Sequence, residues 1–188
     1  MPDYGFEYAI DEKHVRRLVS LLGMEGCSGA PTPMVAGDKP VAGDDLDVLG
    51  PEEKHLFGSG TGTIIYVSQD RTDLQFVARV LASAISAPTR KDLLRLRRAV
   101  KYLVATVHYV LQFVFQDAPR HMLAMVDADW AGDKITRKST SSGVVMHGRH
   151  QLESWSTGQQ VIALSSGESE FYACGKGLAH LLFLLGLS

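Results

Sequence analysis

Two acidic segments of the chain have the residue types and the setting of a metal-dependent site. Asp127 and Asp129 follow the apolar run 121–126, which has the composition of a buried strand, and Glu170 lies in the first turns of an apolar-striped helical segment. Strand alternation predicts that Asp127 and Asp129 share one face. An acid at the end of a strand, then a hairpin, then an acid at the start of a helix indicates the beginning of a two-metal nuclease site.

Each of these acids also has an ordinary structural explanation. Asp127 and Asp129 are suited to a turn at a strand end, and the helix dipole favours an acid such as Glu170 near a helix N terminus. Glu170 also adjoins Phe171 of a predicted buried stripe, so its carboxylate would border the core. Because a carboxylate is costly there without a cation, and Mg²⁺ prefers hard oxygen ligands, the combination of the two segments favours a metal site.

The elements that position these acids change character near residue 106. Before it, apolar residues recur at helical spacing in 12–24, 72–86 and 89–104, and Pro51 is placed to begin a further helix. The segment 26–50 is rich in glycine, proline and aspartate and is predicted to be a loop. We therefore expect a helical region over residues 1–106.

After residue 106 the spacing becomes that of strands. One hairpin is predicted from 107–115 and 121–126, and a second from 143–147 and 151–157. The fold class is therefore α/β of the α+β type, in which antiparallel strands and one helix occupy 107–188.

The final helix is predicted from a cap and an apolar stripe. Ser165 and Glu168 have the spacing of a capping box. The stripe that follows is expected to be buried, and it consists of Phe171, Cys174, Leu178, Leu181 and Leu185.

Composition places the chain among folded globular proteins, since its 188 residues are 45% hydrophobic and 21% charged, with a formal charge of −2. Residues 1–12 carry acids and lack an apolar signal region, and the longest apolar run, 178–187, is about half the ~20 residues of a membrane span. Cys27 and Cys174 are isolated, which argues against disulfides and zinc sites. We therefore expect an intracellular protein, in the cytoplasm or nucleus, without a membrane partner.

The segment 90–101 is strongly basic, with six cations and one acid. Lys91, Arg95 and Arg98 are predicted to lie opposite the apolar stripe, where they can follow a nucleic-acid backbone. A solvated helix face explains the same pattern, and both interpretations stay open.

Four motifs, in this order and spacing, carry a family resemblance: Asp127-Ala128-Asp129-Trp130-Ala131-Gly132, Thr136 to Gly143, Ser154-Trp155-Ser156, and Leu164 to Ala173. Together they resemble the RNase H region of Copia-type retrotransposon Pol polyproteins. The upstream segments 13–24, 62–73 and 96–106 resemble the end of the reverse transcriptase and the connecting helices that follow it. The resemblance covers about residues 12–188.

The resemblance implies a ribonuclease H-like domain beginning near residue 107. It implies that Asp127 and Glu170 are the first and second metal-binding acids of a site at which two Mg²⁺ ions, or Mn²⁺, assist hydrolysis of the RNA strand of an RNA–DNA hybrid. Asp129 is then a supporting or turn-forming residue. Four residues of the following loop either contact phosphates or form a solvated basic turn: Arg137, Lys138, Thr140 and Ser141.

The chain departs from the family pattern in two respects. The third and fourth acids of the family follow the first helix, and this sequence ends at Ser188 before supplying them. We therefore expect weak Mg²⁺ binding and no activity of the chain alone, with the remainder of the Pol polyprotein as a possible partner. Gly58, Gly60 and Gly62 also predict a break in a connecting helix.

Two alternatives to a nuclease fragment stay open. One is a co-opted nucleic-acid-binding module that uses the basic helix 90–101 and has no catalytic activity. The other is a relic without either activity. Salt-dependent binding without cleavage would distinguish the first from the second.

Overall fold

The computed structural model describes residues 5–35, 38 and 47–187, so 36–37 and 39–46 of the predicted loop 26–50 lie outside the described residues. The chain divides into two compact units, one formed by 9–110 and the other by 111–188 together with 1–8. Helices and antiparallel strands are both present, which confirms the mixed α/β class.

The unit 9–110 is helical. Its helices are α1 (Glu12–Leu21), α2 (Pro51–Val67), α3 (Gln75–Ser83) and α4 (Arg90–Ala105), and a 3₁₀ turn, Thr72–Leu74, precedes α3. Pro51 stands in the first turn of α2, as predicted. Helix α1 begins where the Asp11 carboxylate accepts a hydrogen bond from the Lys13 amide at 2.8 Å, and Gly23 follows its end with φ 59°.

Large apolar side chains from all four helices meet in one core. The stripe predicted for α4 is buried there, with Leu96, Val100 and Leu103 fully inaccessible. Thr89 and Asp92 form a reciprocal capping box at the start of the helix. Periodicity and cap chemistry therefore agree for this element.

The glycines of α2 do not break the helix, and the predicted interruption was wrong. Helix α2 runs continuously through Gly58, Gly60 and Gly62. A Cβ at Gly60 would lie 2.8 Å from Cδ2 of Leu96, whereas Gly58 and Gly62 have no neighbouring atoms within 4 Å of that position. Gly60 therefore permits close approach of α2 and α4, and packing outweighs its low helix propensity.

Among its described residues, the second unit contains five strands and one helix. A two-stranded sheet pairs β1 (Phe6–Ala9) with β2 (Val110–Phe113). A three-stranded antiparallel sheet has the order β3 (Met122–Asp129), β4 (Thr140–His147) and β5 (His150–Gly158). Helix α5 spans Ser166–Leu185 and packs on β3 and β4.

The predicted hairpin of 107–115 with 121–126 is not formed, because β2 pairs with β1 instead of β3. The segment between β2 and β3 is held at the turn that joins β4 to β5. Gln116 donates to the His147 carbonyl at 2.9 Å and accepts from the Arg149 amide at 2.8 Å. The second predicted hairpin is confirmed, with Gly148 in the turn at φ 60°.

The predicted buried stripe of α5 was also wrong. Phe171 is 76% exposed and Leu178 57% exposed, whereas Ser169, Ala173 and Gly177 are buried against the sheet. A Cβ at Gly177 would lie 2.5 Å from Cγ1 of Val126. Small residues at every fourth position therefore bring α5 close to the sheet, and the larger residues remain on the outer face.

Candidate functional site

Asp127 and Glu170 lie on neighbouring elements. Asp127 is two residues from the end of β3, is exposed, and stands opposite Ser142 of β4 in the strand register. Glu170 is in the second turn of α5, and its Oε1 accepts a hydrogen bond of 3.4 Å from the Ala128 amide. The helix therefore brings its carboxylate to the peptide unit that joins Asp127 to Ala128.

The side chain of Asp127 belongs to the outer face of the sheet. Val126 contacts Gly177 and therefore faces α5. Because successive side chains of a strand alternate, Asp127 lies on the opposite face, together with the exposed Leu123 and Met125. Glu170, by contrast, is half-buried beside β3. The two carboxylates thus approach the end of β3 from different sides.

Glu168, the other acid in this segment of α5, stabilises the helix end. Its carboxylate accepts hydrogen bonds from the Leu164 amide at 2.7 Å and from the Tyr172 hydroxyl at 3.0 Å. This bond to Glu168 raises the pKa of Tyr172. The Ser165 hydroxyl accepts from the Glu168 amide, as predicted. The Glu168 carboxylate, however, accepts from the amide of Leu164 and not from that of Ser165, as a capping box would require.

Asp129 begins the tight turn that ends β3. Its carbonyl accepts from the Gly132 amide at 3.2 Å, and Ala131 adopts φ 48°. Gly132 lies so close to the Asp129 carboxylate that a Cβ would collide with Oδ2. The geometry is therefore that of a turn-forming aspartate.

Among the residues that the structure describes, no group of three or more His, Cys, Asp or Glu side chains is placed to hold a metal ion. In this part of the chain, the two predicted acids, Asp127 and Glu170, are therefore not joined by a third side chain of these types.

The four predicted phosphate-contacting residues fall into two pairs. Arg137 is exposed with φ 61°, and Lys138 is half-buried. Thr140 and Ser141 are buried, and the Ser141 hydroxyl accepts from Gln159 at 2.9 Å. Arg137 and Lys138 are thus on the surface, whereas the two hydroxyls belong to the interior of the unit.

The three basic residues predicted on α4 each contact a residue of the preceding loop, either Asp38 or Thr32: Lys91, Arg95 and Arg98. Arg95 is buried and pairs with Asp92 at 2.7 Å and with Asp38 at 3.0 Å.

The Asp38 carboxylate lies 3.8 Å from Lys91, and Arg98 donates to the Thr32 hydroxyl at 2.9 Å. Helical periodicity could not reveal these partners, because they come from a loop without periodicity.

Several known proteins are similar in sequence to this chain. The chain is 34% identical over 128 residues to the secreted RxLR effector protein 161 of Plasmopara viticola, covering 67% of this chain and 89% of that protein. It is 26% identical over 176 residues to the retrovirus-related Pol polyprotein from transposon RE1 of Arabidopsis thaliana, covering 93% of this chain and 12% of the polyprotein. It is 25% identical over 171 residues to an uncharacterized mitochondrial protein of Arabidopsis thaliana, covering 90% of this chain and 68% of that protein.

The chain is a homologue of Copia-type retrotransposon Pol polyproteins. It also belongs to one family with the Plasmopara viticola protein. The chain spans between 10% and 13% of the length of the Pol polyproteins that it matches. No protein-family model and no solved structure matches it.

No helix in the described part of the chain is long and apolar enough to cross a membrane.

A partly buried polar network in the helical unit was not predicted from the sequence. Arg71 forms a two-point ion pair with Asp73 and donates to the carbonyl and hydroxyl of Thr106 at 2.9 and 2.8 Å. Tyr102 donates to Asp73 at 2.6 Å. Although burial alone would raise it, the pKa of Asp73 is lowered by these hydrogen bonds from Arg71 and Tyr102.

Proposed function

We propose that the unit containing β3 and α5 is the first part of an RNase H-type nuclease domain of a Pol polyprotein. In this proposal Asp127 and Glu170 are its first two metal-binding acids. The observation that carries it is the 3.4 Å bond from the Ala128 amide to Glu170, which brings the acid of the helix to the strand position next to Asp127. The strand, hairpin and helix also follow one another in the order that the four motifs imply.

The residues present fit Mg²⁺ or Mn²⁺ in type but not in number. Two carboxylates supply the hard oxygen ligands that these ions prefer, and Asp127 is exposed to solvent. At a complete site of this type, such ions would supply activation of a water molecule and stabilisation of the leaving oxygen. We expect two carboxylates alone to hold the ion weakly, so that the chain by itself does not hydrolyse a hybrid.

The surface residues have a separate role in this proposal. Arg137 and Lys138 lie in the loop after β3, and their cations would bind phosphates of an RNA–DNA hybrid. Ser141 and Gln159 instead tie β4 to α5, since Gln159 donates both to Ser141 and to the Ser169 carbonyl. Because Ser169 directly precedes Glu170, these bonds hold the backbone next to Glu170 against β4.

The test separates metal binding from hydrolysis. Mn²⁺-induced line broadening in NMR spectra should be centred on the end of β3 and the start of α5, and Asp127→Asn or Glu170→Gln should reduce it. Asp117→Asn changes an exposed acid elsewhere in the unit and serves as the matched control.

A labelled RNA–DNA hybrid incubated with the same samples should remain intact. Broadening that is unchanged in both site variants would overturn the assignment. Hydrolysis that disappears in Asp127→Asn would support the assignment and show that the two acids suffice.

A second candidate function is nucleic-acid binding by α4 without catalysis. Arg97 and Lys101 are exposed and one helical turn apart, which favours this interpretation, whereas Arg95 is held in an ion pair. Arg97→Ala with Lys101→Ala should weaken salt-dependent binding in a filter or anisotropy assay while leaving the circular dichroism spectrum unchanged. Unchanged affinity in this double variant would count against α4.

A further inference from the structure

Trp130 is an exposed aromatic residue whose position is fixed. Its side chain is 45% exposed, and its indole Nε1 donates to the Ala163 carbonyl at 3.1 Å. The next residue is held as well, because the Ala131 amide donates to the Ser139 hydroxyl at 3.1 Å. An indole that is anchored along one edge and still open to solvent presents a pre-positioned surface for stacking.

The segment that anchors Trp130 also exposes apolar side chains. Ala163 is buried, but its neighbours Ile162 and Leu164 are exposed, Leu164 by 84%. Leaving these groups in water is unfavourable by an amount that grows with their apolar area. The region around the indole is therefore an apolar surface next to the N terminus of α5.

Cations are concentrated in the same loop. Lys134 and Arg137 are exposed and Lys138 is half-buried, whereas the loop contains one acid, Asp133. The Asp133 carboxylate accepts hydrogen bonds from the amides of Ile135 and Thr136 at 2.9 and 3.0 Å, so it stabilises the turn. The loop 130–138 thus combines a fixed aromatic face with a net positive charge, which complements a polyanion carrying flat bases.

We propose that Trp130 is a stacking platform for an unpaired base of a nucleic-acid strand, with Arg137 and Lys138 on the adjoining phosphates. A base inside a duplex has its faces covered, so the ligand is a single-stranded segment next to the hybrid. This inference rests on the proposed function in one respect, namely that the strand belongs to the hybrid presented at the end of β3. Trp130 would bind the nucleic acid directly, whereas Asp127 and Glu170 are proposed to bind the metal.

The experiment measures binding in EDTA, so that no metal contributes. The full chain is titrated into labelled hybrids, one blunt and one with a single-stranded overhang of DNA or of RNA, and anisotropy gives the affinity. We expect Trp130→Ala to weaken binding of the overhang substrates by about tenfold and to leave binding of the blunt hybrid unchanged. Trp130→Phe should retain most of the affinity.

Two control variants distinguish stacking from the other contributions. Leu152→Ala truncates an exposed apolar side chain of β5, outside this surface, and should leave binding unchanged. Arg137→Ala with Lys138→Ala should weaken binding of every substrate and lower the slope of log affinity against log salt by roughly 1.5.

Equal affinities of wild type and Trp130→Ala for the overhang substrates would overturn the stacking site, and so would an equal loss on blunt and overhang substrates. The proposed function fails by a different result, unchanged Mn²⁺ broadening in Asp127→Asn and Glu170→Gln, so the two failures are distinguishable.

Discussion

The two units of the chain bury their apolar residues to very different extents. In 9–110, large side chains such as Phe57, Ile64 and Leu96 are fully inaccessible and belong to one core cluster. In the unit with the three-stranded sheet, Val145 alone joins the largest fully buried side chains of the described residues, and α5 packs through small residues. Large hydrophobics of α5 are exposed instead.

This difference indicates different sources of stability. Burial of large side chains contributes most of the stability of a helical domain, so we expect 9–110 to resist denaturation well. The sheet unit relies more on strand pairing and close backbone approach, which contribute less when few large side chains are buried. We therefore expect the sheet unit to unfold first.

The largest expected effect is a core truncation in the helical unit. Phe57→Ala should lower its free energy of unfolding by about 3–5 kcal/mol, because it removes a fully buried ring. Both tryptophans, Trp130 and Trp155, lie in the sheet unit, so fluorescence reports on that unit while far-ultraviolet circular dichroism follows mainly the helices. In urea denaturation, the midpoint of the circular dichroism transition should shift to a lower urea concentration, whereas the midpoint of the fluorescence transition should not change.

Leu94→Ala is the control for this variant, since it truncates an exposed side chain of the same unit and should change stability by less than about 0.5 kcal/mol. If Phe57→Ala shifted both transitions equally, the two units would not unfold independently, and their stabilities could not be compared in this way.

The next effect tests the small-residue packing of α5. Gly177→Ala should lower the stability of the sheet unit by about 1–3 kcal/mol, because the added Cβ meets Val126 at 2.5 Å. Gly175→Ala, in the same helix with no atoms near its Cβ position, should raise stability by up to about 1 kcal/mol. Tryptophan fluorescence during urea denaturation measures both, and similar shifts for the two variants would contradict the packing geometry.

The polar network sharpens the comparison on the helical side. Because the folded-state pKa of Asp73 is lowered, its contribution to stability is present above its ordinary pKa of 3.8 and is lost as the pH falls through the lower folded value. Tyr102→Phe removes one donor to Asp73 and should cost about 1 kcal/mol at neutral pH.

Without this hydrogen bond the pKa of folded Asp73 should be lowered less, so Tyr102→Phe should lose stability at a higher pH than the wild type on acidification. Circular dichroism during acid titration measures this difference. Tyr109→Phe is the control, since Tyr109 contacts Arg71 through its ring. Identical acid transitions in the wild type and Tyr102→Phe would show that this hydrogen bond does not contribute.

The smallest expected effect is on the outer face of α5. Leu178→Ser should change stability by less than about 0.5 kcal/mol, because the side chain is mostly exposed. Solubility should increase, since an apolar patch is reduced. A large loss of stability, measured by denaturation, would show that this face is covered in solution.

Features that depend on local chemistry were predictable from the sequence. The Thr89 cap, the helix start at Pro51 and the turn at Gly148 each depend on a few adjacent residues. The hairpin of β4 and β5 followed from alternation and a turn signal.

Features that depend on distant partners were not predictable in the same way. The partner of β2 is β1, about a hundred residues earlier, and Arg95 is neutralised by Asp38 of a loop. In α5 the largest side chains suggested the buried face, but Gly177 and Ala173 allow closer approach to the sheet and occupy it instead.

For the candidate site, the sequence predicts Asp127 and Glu170 as metal-binding acids and assigns Trp130 no role of its own. The sequence feature that could have indicated such a role is a large aromatic residue in the turn that directly follows Asp127 and Asp129. The indole of Trp130 is held by the carbonyl of Ala163, which lies 33 residues further along the chain.

Strand β3 also determines how the protein can be handled. In the described part of the chain it has one neighbour, β4, so a row of its amide and carbonyl groups faces outward beside the apolar Leu123 and Met125. Such an edge can be extended by any strand of compatible register, including a second molecule. Concentrated samples should therefore self-associate, and Met125→Lys should reduce this association in light scattering.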